Sequence, residues 1–470
     1  MAREKIAHLS VAILGGGSAA FAAAIRAAEG GLAVTLIEAN ELGGTCVNVG
    51  CVPSKIMIRA AHLAHLQYGH AFAGLSRAAA QVDRAAMVTQ QQLRVAELRE
   101  AKYTSVLKSN PQIRLLNGHA QYQNAHTLIV TQPDGKQLEI RADRFLIATG
   151  RSPIVPDLPG LAGTPYWTSS EALMAEQLPE HLLILGGSVI ALELGQAFLR
   201  LGSKVTLLSR SRLLPREDAQ LGNLLKQILI DEGMRVITDC AVNSVQHHNG
   251  YFEIEMGQER VIGDRLLIAA GRRPNTSGLG LDKIHVATDD NGAVKVDERM
   301  RTSVTHIYAA GDCTNQPQFV YVAAAAGTGA AVNMLGGDMR VDLSRVPAVV
   351  FTDPQVASVG LSEQQAQQRG IDTVSRTLPL ENVPRALVNF DTRGFVKIVA
   401  EKATGRLLGV QALASEAGEI ISAASMALRQ DMTVDQLAAE MFAYLTMAES
   451  LKLCAQTFSK DVTKLSCCAG

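Results

Sequence analysis

The sequence predicts an α/β protein built on two βαβ nucleotide-binding units, with an α+β domain closing the chain. Three observations predict this. A Gly-rich turn follows a short apolar strand at Gly15-Gly16-Gly17-Ser18-Ala19-Ala20, and a second follows another strand at Gly186-Gly187-Ser188-Val189-Ile190-Ala191. From about residue 345 the texture changes to alternating strands, Phe395 to Ala400 and Leu407 to Ala412 among them, which read as an antiparallel sheet with helices. The composition agrees: 470 residues suit several domains, and 47% hydrophobic with 19% charged residues describes a globular chain.

Composition also excludes some classes. A net charge of −1 offers no basic field for nucleic acid. Seven irregularly spaced cysteines, an odd number, give no secreted disulfide framework. No signal pattern precedes the first strand. The uncharged run Cys313 to Gly337 is rich in Ala and Gly but holds Asn315, Gln316, Pro317 and Asn333, so a buried interior helix is expected rather than a membrane span. A soluble, cytoplasmic protein without a membrane partner is expected.

In the first unit, Leu9 to Leu14 is the strand, an Ala-rich helix runs to about Glu29, Gly30-Gly31 ends it, and Val34 to Ile37 is the next strand. The turn reads G-x-G-x-x-A, whose glycines let a pyrophosphate meet the helix N-terminus. Glu38, closing the second strand, can bond both hydroxyls of an adenosine ribose. In the second unit, Leu182 to Leu185, Val189 to Leu201 and Lys204 to Leu208 repeat the pattern, with Ser188 and Ala191 replacing glycines. Ser209 stands where the first unit has its acid, and Arg210 and Arg212 follow. A carboxylate would repel a 2′-phosphate and a guanidinium binds one, so NADPH is expected over NADH. The plainer reading is a solvated pair of loop arginines. Two such units in one chain suggest two dinucleotides exchanging electrons.

Between these units lies the most informative run, Gly43-Gly44-Thr45-Cys46-Val47-Asn48-Val49-Gly50-Cys51-Val52-Pro53-Ser54-Lys55. Two cysteines flank a Gly-rich turn leading into a helix. Pro53 suits the first helical position, which puts Cys51 just before a helix N-terminus, where the dipole favours thiolate. Val82 to Ser109 reads as one long amphipathic helix with Leu93, Leu98, Val106 and Leu107 on or near one face. Tyr103, on that helix, reads as an ordinary half-buried aromatic. Ile113 to Ile140 reads as short strands around a Pro133-Asp134-Gly135 turn. Two buried strands leave by similar exits, Thr149-Gly150-Arg151 and Gly271-Arg272-Arg273-Pro274, and another ends in Gly311-Asp312.

The cysteine run resembles the redox-active disulfide segment of the flavin-dependent pyridine-nucleotide disulfide oxidoreductases, and the resemblance extends from about His8 to Lys460. It implies two Rossmann-like domains, for FAD and NADPH, plus a C-terminal α+β dimerisation domain. Residues 1–150 would open the FAD domain, 151–274 bind NADPH, 275–344 complete the FAD domain, and 345–470 form the dimerisation domain with its tail. FAD would lie against Gly15, Gly17, Ser18, Ala19, Glu38, Gly44, Thr45, Lys55, Thr149 and Gly150, with Asp312 on its ribityl chain. NADPH would use Gly186, Ser188, Val189 and Arg210. Cys51 would sit against the isoalloxazine, Cys46 would face the substrate, Lys55 would stabilise anionic flavin, and Glu193 would lie near the nicotinamide and pair with Lys55.

The chain departs from the disulfide-reducing members at one point. They place a His five positions before a Glu near the C-terminus; here Tyr444 stands five before Glu449. A phenol, with a pKa of about 10, is a poor proton shuttle at neutral pH, so a substrate that needs no protonated leaving group is expected. The chain ends in Cys467-Cys468-Ala469-Gly470, a vicinal pair suited to soft metal ions or, alternatively, to a redox relay. Tyr444, this tail, Ala101-Lys102-Tyr103 and Phe319-Val320-Tyr321-Val322-Ala323 look like the mercuric reductases of the family. That resemblance implies a homodimer in which Cys467 and Cys468 capture Hg(II) from small-thiol complexes for the partner's site. Metal would pass to Cys46 and Cys51 and leave as elemental mercury, with Tyr103 and Tyr444 lining the site. Many members carry an N-terminal metal-binding domain; here the tail is expected to acquire metal directly. The rival readings are a glutathione-, thioredoxin- or lipoamide-type reductase, and a non-catalytic flavoprotein that sequesters metal. Cys240, Cys313 and Cys454 read as structural.

Overall fold

A parallel strand buried on both faces needs a continuous apolar run, and Val11, Ala12, Ile13 and Leu14 supply one. In the computed structural model, which describes residues 9–461, that strand (Ser10–Leu14) is the centre of a five-stranded parallel sheet. Its order is Ile307–Ala309, Arg144–Ile147, Ser10–Leu14, Ala33–Glu38, Ile113–Asn117, with Ile13 opposite Leu36 on one side and Leu146 on the other. The chain divides into two compact units, and this sheet belongs to the first: Met1–Ile56, Ala86–Ile154 and Gly271–Leu343.

Helix Ser18–Glu29 covers one face of the sheet and packs on helix Val320–Met334. Both present small residues, so the backbones approach closely; a Cβ at Gly327 would stand 3.1 Å from the Ala19 Cα. The uncharged run is therefore an interior helix, with Ala326, Ala330 and Ala331 fully buried. On the other side lies a meander of His119–Asn124, Thr127–Thr131 and Gln137–Arg141, turned by Gly135 at φ +82°. No helix among the described residues is long and apolar enough to cross a membrane.

The second unit comprises Met57–Ala85, Val155–Ala270 and Ser344–Gly470. Its parallel sheet runs Arg235–Ile237, Lys204–Leu208, His181–Leu185, Arg265–Ile268. Its antiparallel sheet runs Ala348–Val350, Gln355–Gly360, Leu407–Ala414, Phe395–Glu401, Thr373–Pro379. Helices Ala417–Arg429 and Glu449–Gln456 contribute Ile420, Ile421, Ala424, Leu451 and Cys454 to the core beneath that sheet. The texture change near residue 345 is thus a change from parallel to antiparallel pairing.

A buried ionic cluster knits this unit. Glu193, Gln196 and Arg200 share one face of helix Val189–Arg200 and grip the segment Phe351–Asp353. Glu193 Oε1 accepts the Phe351 N–H at 2.9 Å, Gln196 exchanges two 2.8 Å bonds with the Asp353 backbone, and Arg200 reaches Asp353 Oδ2 at 2.8 Å. His62 Nδ1 lies 3.3 Å from the same oxygen, Arg393 Nη2 3.5 Å, and Glu232 pairs with Arg200 at 2.7 Å. Burial alone would raise the Asp353 pKa, but the His62 hydrogen bond and the Arg200 and Arg393 charges hold it well below the usual carboxylate range. Its stabilisation is complete above the unfolded value of about 3.9 and is lost as pH falls through the lower folded value. Asp353→Asn is expected to cost roughly 3–5 kcal/mol at neutral pH, because it leaves buried Arg200 short of charge, and to flatten the acid limb of stability. Urea unfolding of both proteins from pH 7 downward checks this; parallel acid limbs would remove Asp353 from the account.

Candidate active site

The first unit brings Cys46, Cys51, Lys55 and Tyr103 into one neighbourhood. Gly43 at φ +100° and Gly44 at φ +62° turn the chain into a short helix, Gly44–Asn48, that carries Cys46. Asn48 Nδ2 donates to the Leu42 and Gly44 carbonyls at 2.9 and 3.1 Å and locks that turn. The Gly43 N–H donates to the Gly16 carbonyl at 2.9 Å, tying it to the first glycine turn. Helix Cys51–Tyr68 then starts on Cys51 itself, so Pro53 is its third residue and not its first. The correction is small in energy, since the leading N–H groups of a helix have no intrahelical acceptor to lose.

Cys46 is half-buried on its short helix and Cys51 is exposed at the start of the next. The hydrogen bond with Cys51 and then burial push the Cys46 thiol far above its ordinary range, and the Lys55 charge only partly opposes them. Two adjacent sulfurs resist carrying two negative charges, so Cys46 keeps its proton.

Tyr103 sits on a turn the helical pattern did not reveal. Helix Arg84–Arg99 continues through a π-turn, Glu100–Thr104, into Ser105–Ser109. The extra residue rotates the helix beyond it, so one stripe cannot serve the whole length. Before that turn the buried stripe is Arg84, Val88, Gln91 and Val95 at regular helical spacing, and Leu93 lies off it, 62% exposed, a correction to the apolar face expected there. The Tyr103 ring meets Phe21 edge-on at 4.6 Å, and its hydroxyl bonds with Ser18. Burial raises its pKa, and the nearby Cys46 sulfur adds to the rise, so the phenol stays protonated.

The two similar exits pair with each other. Arg151–Pro153 and Arg272–Pro274 form an antiparallel ribbon, and Thr149 and Asn275 exchange bonds of 2.7 and 2.9 Å. Arg151 donates from Nη2 to the Thr314 carbonyl at 3.2 Å, and Arg272 reaches Thr45 Oγ1 at 3.4 Å and senses the Cys51 sulfur. Burial raises the Asp312 pKa, and Arg272 and Arg151 oppose that. Sequence reading assigned these arginines no role; the Gly-Arg pair repeated in both exits was the available signal.

The flavin side has the shape and donors of a dinucleotide cradle. Gly17 caps helix Ser18–Glu29 without a side chain, and no acidic residue occupies the first turn, so an anion is welcome there. A Cβ at Gly44 would fall 2.8 Å from the Gly17 Cα, and one at Gly16 2.7 Å from the Glu38 carboxylate. That buried carboxylate accepts the Asn40 N–H at 2.7 Å through its other oxygen. The Asp312 carboxylate accepts no hydrogen bond among the described residues, which leaves it for a hydroxyl chain. These residues fit FAD. In the second unit Gly186 sits at φ +142° and Ser188 and Val189 are exposed at a helix start, which fits a second pyrophosphate.

Arg210 is exposed beside that turn. Arg212 is not its twin: its guanidinium is engaged by carbonyls of its own loop, which removes it from the phosphate-binding role expected of both. Glu193 and Tyr444 belong to the second unit. Tyr444 is half exposed, and the next residue, Leu445, is at φ +58° with its N–H donated to Glu449 Oε2 at 3.2 Å. Cys467 and Cys468 lie outside the described residues. Cys313 and Cys454 are buried and hydrogen-bonded to carbonyls, their thiols pushed up to about 11 and about 12 by burial. Half-buried Cys240 donates to the Ser209 carbonyl.

A thiol pair at the head of a helix, between one dinucleotide cradle and the exits to another, defines a flavoprotein oxidoreductase. The family model described as pyridine nucleotide-disulphide oxidoreductase matches residues 9–327, and its dimerisation domain matches 346–455; the chain belongs to this family, whose cofactors are FAD and NADPH. Within it the chain belongs with the mercuric reductases. It is 56% identical over 461 residues to that of Shewanella putrefaciens, covering 98% of this chain and 83% of that protein. It is 46% identical over 466 residues to that of Streptomyces lividans, covering 98% of each. Among solved structures, the HOCl-induced flavoprotein disulfide reductase RclA from Escherichia coli superposes with a TM-score of 0.85 at 32% identity, over 95% of this chain and 99% of that one. LpdA from Mycobacterium tuberculosis does so with a TM-score of 0.87 at 29% identity, over 96% and 100%.

Proposed function

We propose that this protein reduces Hg(II) to elemental mercury with electrons from NADPH, as a cytoplasmic homodimer. The observation that carries the reading is the turn at Tyr444. Tyr444 stands five residues before Glu449, where disulfide reduction calls for a histidine acid, and Glu449 fastens the turn there by accepting the Leu445 N–H; in the first unit Tyr103, near Cys46, is kept protonated by burial. A phenol in place of that histidine suits a soft ion that leaves as a neutral atom, not as a thiolate that must be protonated.

Cys467 and Cys468 take Hg(II) from small thiols, in the reading proposed here, and serve the partner subunit's site. Each transfer forms one mercury–sulfur bond as another breaks, and the incoming thiol's proton goes to the departing thiolate. Cys46 holds its proton until the metal displaces it. Lys55 lends positive charge to the pair as the protons leave. When bound, FAD relays the two electrons of NADPH to this site. In balance, one NADPH is oxidised and one Hg(II) gains two electrons; NADPH gives up one proton, the two sulfurs freed from mercury take up two, and so one proton is drawn from solution. Glu193, fixed by the Phe351 N–H, orders the nicotinamide side, and Arg210 takes the 2′-phosphate.

The test is NADPH oxidation by the purified yellow protein with Hg(II) and excess small thiol, beside parallel runs with oxidised glutathione, thioredoxin disulfide and lipoamide. Rapid oxidation with mercury alone, with mercury vapour released, is expected. Oxidation with a disulfide and none with mercury would assign the chain to disulfide reduction.

A further inference from the structure

Arg212 lies two residues beyond Arg210 and turns away from the nucleotide turn into its own loop. Its Nη1 donates to the Leu214 carbonyl at 3.1 Å, and its Nη2 donates to the carbonyls of Pro215 at 2.9 Å and Glu217 at 2.7 Å. A weaker Nη1 bond reaches its neighbour Leu213 at 3.4 Å. One planar fork thus satisfies successive carbonyls across a tight loop. A lysine, with a single compact charge, could not span them.

The loop needs such a hub. Leu214 is held at φ +47°, a left-handed conformation that costs a branched residue roughly 1–2 kcal/mol. Its N–H donates to the Gly187 carbonyl at 2.9 Å, which fastens the loop to the second glycine turn. Beyond Arg212 the chain is anchored again. Glu217 accepts from Ser358 Oγ at 2.8 Å, and Asp218 caps helix Ala219–Asp231 and pairs with Lys397 Nζ at 2.9 Å. Gly222 leaves room for the loop: a Cβ there would collide with the Leu213 carbonyl. Before Arg212, Ser209 is buried under the glycine turn. Arg210 projects from this fastened loop into solvent, as do Pro215 and Arg216 further along it, and Arg210 makes no hydrogen bond to protein among the described residues.

We propose that Arg212 is a positioning residue for cofactor choice: by fixing the loop it presents Arg210 to a 2′-phosphate, and so sets the preference for a 2′-phosphorylated nucleotide. The inference rests on the reading that Arg210 meets that phosphate. A long exposed side chain loses rotamer freedom on binding, and a fixed backbone beneath it confines that loss to the side chain.

The test uses the FAD-loaded protein and two probes that differ only by the 2′-phosphate, adenosine 2′,5′-bisphosphate and adenosine 5′-monophosphate, with Kd measured by calorimetry. Arg212→Lys and Arg212→Gln are each expected to weaken the bisphosphate about tenfold and the monophosphate less than about twofold. In an Arg210→Gln background Arg212→Lys is expected to add nothing, because its effect passes through Arg210. Equal weakening of both probes, additive losses in the double variant, or an unchanged preference would each overturn the proposal. Flavin absorbance and far-ultraviolet dichroism identify which variant is folded, and the Arg210→Gln comparison needs only one. A wild-type protein that does not distinguish the probes would overturn the NADPH reading and this inference together. A wild-type preference retained by both variants would overturn this inference alone. Neither readout depends on mercury.

Discussion

Cys51→Ser is expected to reduce mercury-dependent NADPH oxidation on the order of a thousand-fold or more, while mercury binding by the protein persists. Serine places a hard oxygen where a soft ion and a partner thiol both need sulfur, so neither the dithiol chemistry nor the metal transfer survives. Binding is expected to persist because Cys467 and Cys468, the proposed capture pair, are untouched. The pair itself supplies a second signature. Cys46 is held protonated chiefly by its hydrogen bond with Cys51 and then by burial. Without the second sulfur its pKa should fall toward the ordinary thiol value of about 8.5, and its alkylation rate should rise at correspondingly lower pH. Turnover that survives the substitution would overturn the mechanism. Lost turnover with an unchanged alkylation profile would leave the Cys46–Cys51 coupling without support.

Gly44→Ala is expected to yield a protein that loses its flavin. Gly44 sits at φ +62°, where a Cβ alone costs roughly 1–2 kcal/mol. That Cβ would also fall 2.8 Å from the Gly17 Cα, and backbone cannot rotate aside as a long side chain does. Gly17 caps the helix whose N-terminus fits the pyrophosphate, so the collision is expected to displace the proposed FAD cradle itself. Flavin absorbance retained after gel filtration should fall at least about tenfold relative to protein, a differential loss of about 1.4 kcal/mol or more. Gly31→Ala is the control. It carries the same kind of conformational cost, at φ +87°, but its Cβ would meet nothing within 4 Å. Full flavin retention in Gly44→Ala would show that the two turns yield to one another.

Much of the fold can be read from the chain because its signals are local. Strand Lys204–Leu208, helix Val189–Arg200 and strand Ser10–Leu14 lie where apolar runs and glycine turns put them, within a residue at each end. A turn that needs positive φ can be read from glycine itself, as at Gly15 and Gly186. The failures share a cause. Leu93 faces solvent because the face that packs is the one carrying Arg84, Val88, Gln91 and Val95, and only the folded neighbours decide which face that is. Arg212 turns inward because carbonyls of the following loop converge on it, and those exist only once the loop is folded.

The sequence by itself determined the class of fold, the cysteine pair, the two cradles and the departure at Tyr444, since each is a matter of residue type at short spacing. Tertiary structure alone decided which charges meet. Arg272 comes near Cys51, Arg151 and Arg272 flank Asp312, and His62, Arg200, Asp353 and Arg393 gather in one cluster, from positions far apart in the chain. Electrostatic pairing depends on distance and burial and not on order along the backbone, so only the folded chain could specify it.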